Sequence, residues 1–132
     1  MKTIFVVDDN STNLLMAEEA LSDHYEVITM LSASTMFEFL DNVLPDLILL
    51  DIMMPDINGL DALKQLKANK KFANIPVMFL TGKNDTDIET LGFEMGIADF
   101  IKKPFSEPVI LNCIKTVLES ETANSKKADV QQ

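Results

Sequence analysis

Arginine is missing from this 132-residue chain: all 11 basic residues are lysines, set against 21 acids for a formal charge of −10. The forked side chain best suited to paired contacts with phosphate or guanine is therefore absent, and direct nucleic-acid binding is not expected. A single cysteine, Cys113, excludes an internal disulfide, and no Cys/His set has zinc-ligand spacing. Cys113 falls at an apolar position of a helical pattern, where a buried thiol is expected rather than a reactive one. Long hydrophobic runs are also lacking. No stretch approaches the ~20 apolar residues that span a bilayer. Ile4 to Val7 is too short for a signal-peptide core and runs straight into Asp8-Asp9. A cytoplasmic protein with no membrane partner is the expectation.

What is present suits one folded domain. The apolar fraction of 47% excludes disorder for the body of the chain, and the length allows one core but is short for two. Short β-rich runs at Thr3 to Val7, Glu26 to Met30, Leu47 to Asp51, Ile75 to Thr81 and Ala98 to Lys103 alternate with helical patterns. The helical stripes are Leu14, Ala17 and Leu21; Ala33, Met36, Phe37 and Leu40; Gly59 to about Lys70; Ile88, Leu91 and Met95, with Gly96 as C-cap; and Ile110, Cys113, Ile114 and Val117. From about Glu121 the composition turns polar without periodicity, so residues 1–121 are expected to form the domain and 122–132 a disordered tail or linker. Three near-continuously apolar strands predict an α/β fold, a doubly wound (βα)5 domain with a parallel five-stranded sheet covered on both faces.

In such sheets ligands bind beyond the carboxyl ends of the strands. Asp8, Asp9, Asp51, Thr81 and Lys103 all stand at those ends. The centre of this arrangement is Leu47 to Gly59, an apolar strand that ends in the carboxylate of Asp51 and leaves the sheet through Met54-Pro55, with Gly59 as a flexible joint. Carboxylates brought together repel by ~4 kcal/mol per pair at about 4 Å and an effective dielectric near 20. Lys103 and a divalent cation that prefers hard oxygen, Mg2+ better than Ca2+, would offset that repulsion. A carboxylate, a metal, a hydroxyl and an ammonium are the parts needed to move a phosphoryl group, with Asp51 as nucleophile giving an acyl phosphate.

Four motifs carry a family likeness: Val6-Val7-Asp8-Asp9-Asn10; Leu49 to Pro55 with Gly59; Leu80-Thr81-Gly82; and Ala98 to Phe105, with Lys103-Pro104 inside it. In this order the chain resembles the receiver domains of two-component response regulators, over residues 3 to about 120. The resemblance implies a flavodoxin-like strand order 2-1-3-4-5, a phosphorylation-dependent switch rather than an enzyme, and Asp51 as phosphoacceptor. It implies Mg2+ held by Asp8, Asp9, Asp51 and the backbone carbonyl of Met53, with Asp9 the more direct ligand of the acidic pair. Thr81 becomes the switch hydroxyl, Lys103 the phosphate partner, Phe100 the switch aromatic, and Lys103-Pro104 the site of a cis peptide. Met53 and Lys83 occupy positions that modulate hydrolysis of the acyl phosphate. The implied partners are a sensor histidine kinase or phosphotransfer protein, an output domain or target protein met by the fourth helix, fifth strand and fifth helix, and a second copy in a phosphorylation-dependent homodimer. Phe93 lies off the stripe of its helix and is expected to be exposed on that face, with Lys102, Leu111 and Leu118 adjoining it.

The rivals each need something else. A haloacid-dehalogenase-like phosphatase with Asp8 as nucleophile wants a second aspartate two residues on, where this chain has Asn10. A flavodoxin-like electron carrier would set a flavin phosphate against two carboxylates, and an unreactive pseudo-receiver has no need of the acidic pair, Thr81 and Lys103 together. His24, in a connecting segment, reads as polar surface and not as a phosphorelay histidine.

Overall fold

Alternation along the strands sorts their side chains onto two faces, and the helices cover both. In the computed structural model, which describes residues 1–82 and 84–130, with 122–130 by backbone alone, the elements are β1 (Thr3–Val7), α1 (Ser11–Leu21), β2 (Glu26–Met30), α2 (Ala33–Leu40), β3 (Leu47–Asp51), α3 (Gly59–Ala68), β4 (Val77–Thr81), α4 (Thr86–Met95), β5 (Asp99–Lys102) and α5 (Glu107–Val130). All strand pairs are parallel, in the order β2-β1-β3-β4-β5. This is the expected flavodoxin-like α/β fold.

Ile4, Val6, Leu47, Leu49, Met78, Leu80 and Ile101 face α1 and α5, whose Leu14, Ala17, Leu21, Ile110 and Ile114 complete one core. Phe5, Val7, Ile48, Leu50, Val77 and Phe79 face the other way, onto Met36 and Leu40 of α2 and Ala62, Leu63 and Leu66 of α3. Every residue of β3 and β4 is buried, as strands covered on both sides must be. Each such Leu or Phe contributes roughly 1.5–3 kcal/mol. Side-chain caps start the first three helices: Asn10 accepts from the backbone of Thr12 and Asn13, Ser32 from Thr35, and Asn58 from Asp61. Gly96 closes α4 at φ 102°, a left-handed position that suits glycine. Among the described residues no helix is long and apolar enough to cross a membrane.

Three expectations are corrected. Leu91 is not on the inner face of α4 but 46% exposed, whereas Glu89 and Gly92 are buried. The true inner stripe is Ile88, Glu89, Gly92 and Met95, and a glycine in it lets α4 approach until an added Cβ would lie 2.7 Å from the Phe79 ring. Gly59 is not a flexible joint: its amide bonds Ile52 O at 3.0 Å and a Cβ there would lie 2.6 Å from Ile52 Cα. Leu118 is buried against the α1–α5 core instead of adjoining an exposed face, and Leu111 packs at its margin. Helical backbone of α5 runs past residue 121 to Val130; no Gly or Pro follows Pro108 to end it. Gln131 and Gln132, the end of the expected tail, lie outside the described residues.

Candidate functional site

Parallel strands that end in register deliver their last residues to one edge. Asp8 follows β1, Asp51 ends β3, Thr81 ends β4 and Lys103 follows β5. Asp8, Asp51 and Thr81 are buried; Asp9 is exposed. Three of the predicted site residues come together here: Asp8, Asp9 and Asp51 each offer an oxygen within 4.8 Å of the others.

Lys103 is the cation that makes this tolerable. Its Nζ lies 2.9 Å from Asp51 Oδ1 and 3.5 Å from Asp8 Oδ2. The backbone N–H of Met53 also donates to Asp51 Oδ1, at 3.3 Å. Asp51 Oδ2 receives no hydrogen bond from a described residue. Burial raises the Asp51 carboxyl from 3.8 to about 6, with the negative charge of Asp8 adding to the shift and Lys103 and the Met53 amide only partly offsetting it. Burial works against the charge on Lys103, but its bonds to Asp51 and Asp8 outweigh that and hold the ammonium above its ordinary value. Two donors that sequence reasoning missed steady Asp8: the Asn10 amide, 2.9 Å from Oδ1, and Asn13 Nδ2, 3.1 Å from Oδ2. Asn13 lies in the first turn of α1, and its spacing of five from Asp8 was the signal.

Strand alternation separates the two lysines as expected. Lys102 turns to the α4 side, where its Nζ is 3.0 Å from Glu89 Oε2. The hydroxyl of Thr81 donates to that same oxygen at 2.7 Å. Glu89 was the second omission, because a scan for apolar stripes passes over a buried acid; its place one helical step from Ile88 was the clue. Phe93 is 47% exposed, as expected, and packs edge-on against Phe100 with ring centroids 5.8 Å apart. Lys102 Nζ stands 5.8 Å from the centre of the Phe100 ring. The Lys103-Pro104 peptide is cis. Cys113 is half-buried at the edge of the α1–α5 core, and burial pushes its thiol up, the charge of Asp99 adding to it. Lys83 lies outside the described residues.

The family described as response regulator receiver domain matches residues 4–115. A probable cyclic di-GMP phosphodiesterase of Vibrio cholerae is 37% identical over 119 residues, 90% of this chain but only 27% of that protein. Thus the chain spans about a quarter of that relative's length. A response-regulator structure from Chloroflexus aurantiacus superposes with TM-score 0.84 at 28% identity, covering 89% of this chain and 98% of that one. The beryllium-fluoride-activated receiver domain of DrrB superposes with TM-score 0.80 at 30% identity, covering 90% and 98% respectively.

Proposed function

The chain belongs to the response regulator receiver domain family, and from that premise we propose that it is a signalling switch thrown by phosphorylation of Asp51. The observation that carries the proposal is the buried Asp51 carboxylate, held on one oxygen by Lys103 at 2.9 Å inside a cluster of three acids. The donor is a phosphohistidine of a sensor kinase or phosphotransfer protein; members of the family partner with histidine kinases and output domains. An Asp51 oxygen forms the new P–O bond while the donor's P–N bond breaks, its electron pair returning to the donor nitrogen. Lys103, already bonded to Asp51, pairs with a phosphoryl oxygen. The only aspartate modified is the chain's own, so no separate substrate is proposed.

The donor set suits Mg2+: three carboxylates converge on hard oxygens, and the single charge of Lys103 leaves them under-compensated. Asp8, Asp9, Asp51 and the Met53 carbonyl would hold the ion, which when bound offsets charge on the transferring phosphoryl oxygens. Asn10 and Asn13 keep Asp8 oriented for that task.

Phosphorylation biases two arrangements of the α4–β5 region. Thr81 donates to the phosphoryl group, Phe100 turns inward, and the face carrying Phe93, Lys102 and Leu91 changes what it offers to an output domain, a target protein or a second copy. Residues 1–121 act as the receiver and 122–132 as the connection onward. Incubation with Mg2+ and a small phosphodonor tests this, wild type beside Asp51→Asn, read by intact mass and oligomeric state. One added phosphoryl group in the wild type alone supports the proposal; label on Asp8, or on neither, refutes it.

A further inference from the structure

The hydroxyl of Thr81 can donate one hydrogen bond, and in this structure Glu89 accepts it. Thr81 Oγ1 is fully buried and lies 2.7 Å from Glu89 Oε2, a short O–H···O⁻ bond of the charge-assisted kind. An ionised carboxylate only accepts, so the direction of the bond is settled and Thr81 must be the donor. The same hydroxyl cannot also donate to a phosphoryl oxygen on Asp51. The two acceptors exclude each other.

We propose that Glu89 is a positioning residue that acts through Thr81, a latch that withholds the switch hydroxyl until a phosphoryl group on Asp51 outbids it. The proposal rests on the reading of Asp51 as phosphoacceptor and adds a regulator of that site. Three further observations fit the latch. Glu89 is the charged residue on the buried face of α4, only 6% exposed, a position where a carboxylate is retained only with partners. Lys102 supplies the second partner from the neighbouring strand, Nζ to Oε2 at 3.0 Å, with its own side chain 47% exposed. Lys102 and Thr81 thus share one oxygen of Glu89. Gly92, one turn along α4, permits the close approach that puts Glu89 within reach, since any side chain there would meet Phe79 and Ile97.

The arrangement also gives the switch a route outward. When Thr81 leaves, Lys102 is the partner that Glu89 keeps among the described residues, and its ammonium lies beside the Phe100 ring, which in turn packs against exposed Phe93. One lost hydrogen bond at the strand end thus alters the charge pairing under the aromatic pair on the α4–β5 face.

Beryllium fluoride with saturating Mg2+, a stand-in for the phosphoryl group on the acceptor aspartate, reads the latch as an apparent Kd, because a binding-competent state that is scarcely populated weakens affinity in proportion. The titration is followed by calorimetry on wild type, Glu89→Gln and Glu89→Leu, each with Thr81 intact and as Thr81→Val, with folding checked by thermal melting. Glu89→Leu should bind about tenfold tighter than wild type, and Glu89→Gln should fall between, since its amide oxygen still accepts but without charge. In the Thr81→Val background the gain from Glu89→Leu should shrink to within about twofold, which a merely structural effect would not do. Unchanged or weaker binding by folded Glu89→Leu overturns the latch, as does a gain that survives Thr81→Val. Should Glu89→Leu not fold, a folded Glu89→Gln with wild-type affinity overturns it equally. Failure of the wild type itself to bind beryllium fluoride, with no phosphoryl uptake at Asp51, is a separate result that removes the phosphoacceptor reading and the latch with it.

Discussion

Replacing Asp51 by asparagine should stabilise the metal-free protein at neutral pH, although it breaks an ion pair. The Asp51 carboxyl is raised from 3.8 to about 6, chiefly by burial. At ~1.4 kcal/mol per pH unit, that displacement is a penalty of ~3 kcal/mol on the charged form in the folded state relative to the unfolded chain. Below the unfolded value both states carry the proton and the penalty is absent. Between about pH 4 and 6 the unfolded chain binds fewer protons than the folded one, so stability falls as pH rises, and above the folded value the full penalty is present. Asparagine has nearly the shape of the protonated acid and never ionises. Urea unfolding in the presence of a chelator should therefore show Asp51→Asn close to wild type at pH 4 and more stable by up to ~3 kcal/mol at pH 7.5. Mg2+ should narrow or reverse the gap, because an ion that binds only the folded wild type stabilises it by ~2.7 kcal/mol at about 100 times its dissociation constant. A variant less stable than wild type at pH 7.5 without metal, or a gap that ignores pH, refutes the claim that Asp51 is held charged against its surroundings.

Gly59→Ala should cost ~1–3 kcal/mol in thermal or urea unfolding, since the new Cβ would lie 2.6 Å from Ile52 Cα and 3.0 Å from the Asp51 carbonyl, where only backbone can yield. Gly92→Ala should also destabilise, by a similar ~1–3 kcal/mol, despite the better helix propensity of alanine, because its Cβ would meet Phe79 at 2.7 Å and Ile97 at 2.8 Å; a more stable variant would show that α4 is free to move aside. Phe93→Ala, at a half-exposed position, should change stability by less than ~1 kcal/mol and leave phosphoryl uptake at Asp51 intact by mass, separating the outer face from the chemical site.

The strands, their parallel arrangement and the acids at their ends were legible in the sequence because each depends on a local pattern. Leu47 to Leu50 is apolar without interruption, and only a strand covered on both faces asks for that. Asp51 then stands out as the first charge after it. The inner face of α4 was not legible in the same way. A period of 3.6 fits Ile88, Leu91 and Met95 as readily as Ile88, Glu89, Gly92 and Met95, and hydropathy alone prefers the first. What decides for the second is information from elsewhere in the chain: Thr81 and Lys102, on two other elements, supply partners for Glu89, and Phe79 and Ile97 leave no room for a side chain at Gly92. The Gly59 expectation failed for a related reason. Its need for glycine comes from contact with Ile52, seven residues back, not from a turn that a local scan reveals.

The same alternation that made the sheet readable also divides its chemistry. Carried one residue past β1 and β5, it assigns Asp8, Asp51 and Lys103 to the α1–α5 side and Thr81 and Lys102 to the side of α3 and α4. Each side then has its own acid and ammonium: Asp51 with Lys103 at 2.9 Å, and Glu89 with Lys102 at 3.0 Å. Adjacent lysines thus serve separate ion pairs, and exchanging the roles of Lys102 and Lys103 would require β5 to slip by one residue. Thr81 is the group that could belong to either set, since its hydroxyl stands at the strand end and now donates to Glu89. In the proposed switch a phosphoryl group on Asp51 would act on that hydroxyl directly and reach Lys102 through Glu89. Under the proposed latch, switching would turn on which of two anions accepts the one hydrogen bond that Thr81 can donate. Glu89, buried and bonded to both Thr81 and Lys102, is then the position whose substitution tests that proposal most directly.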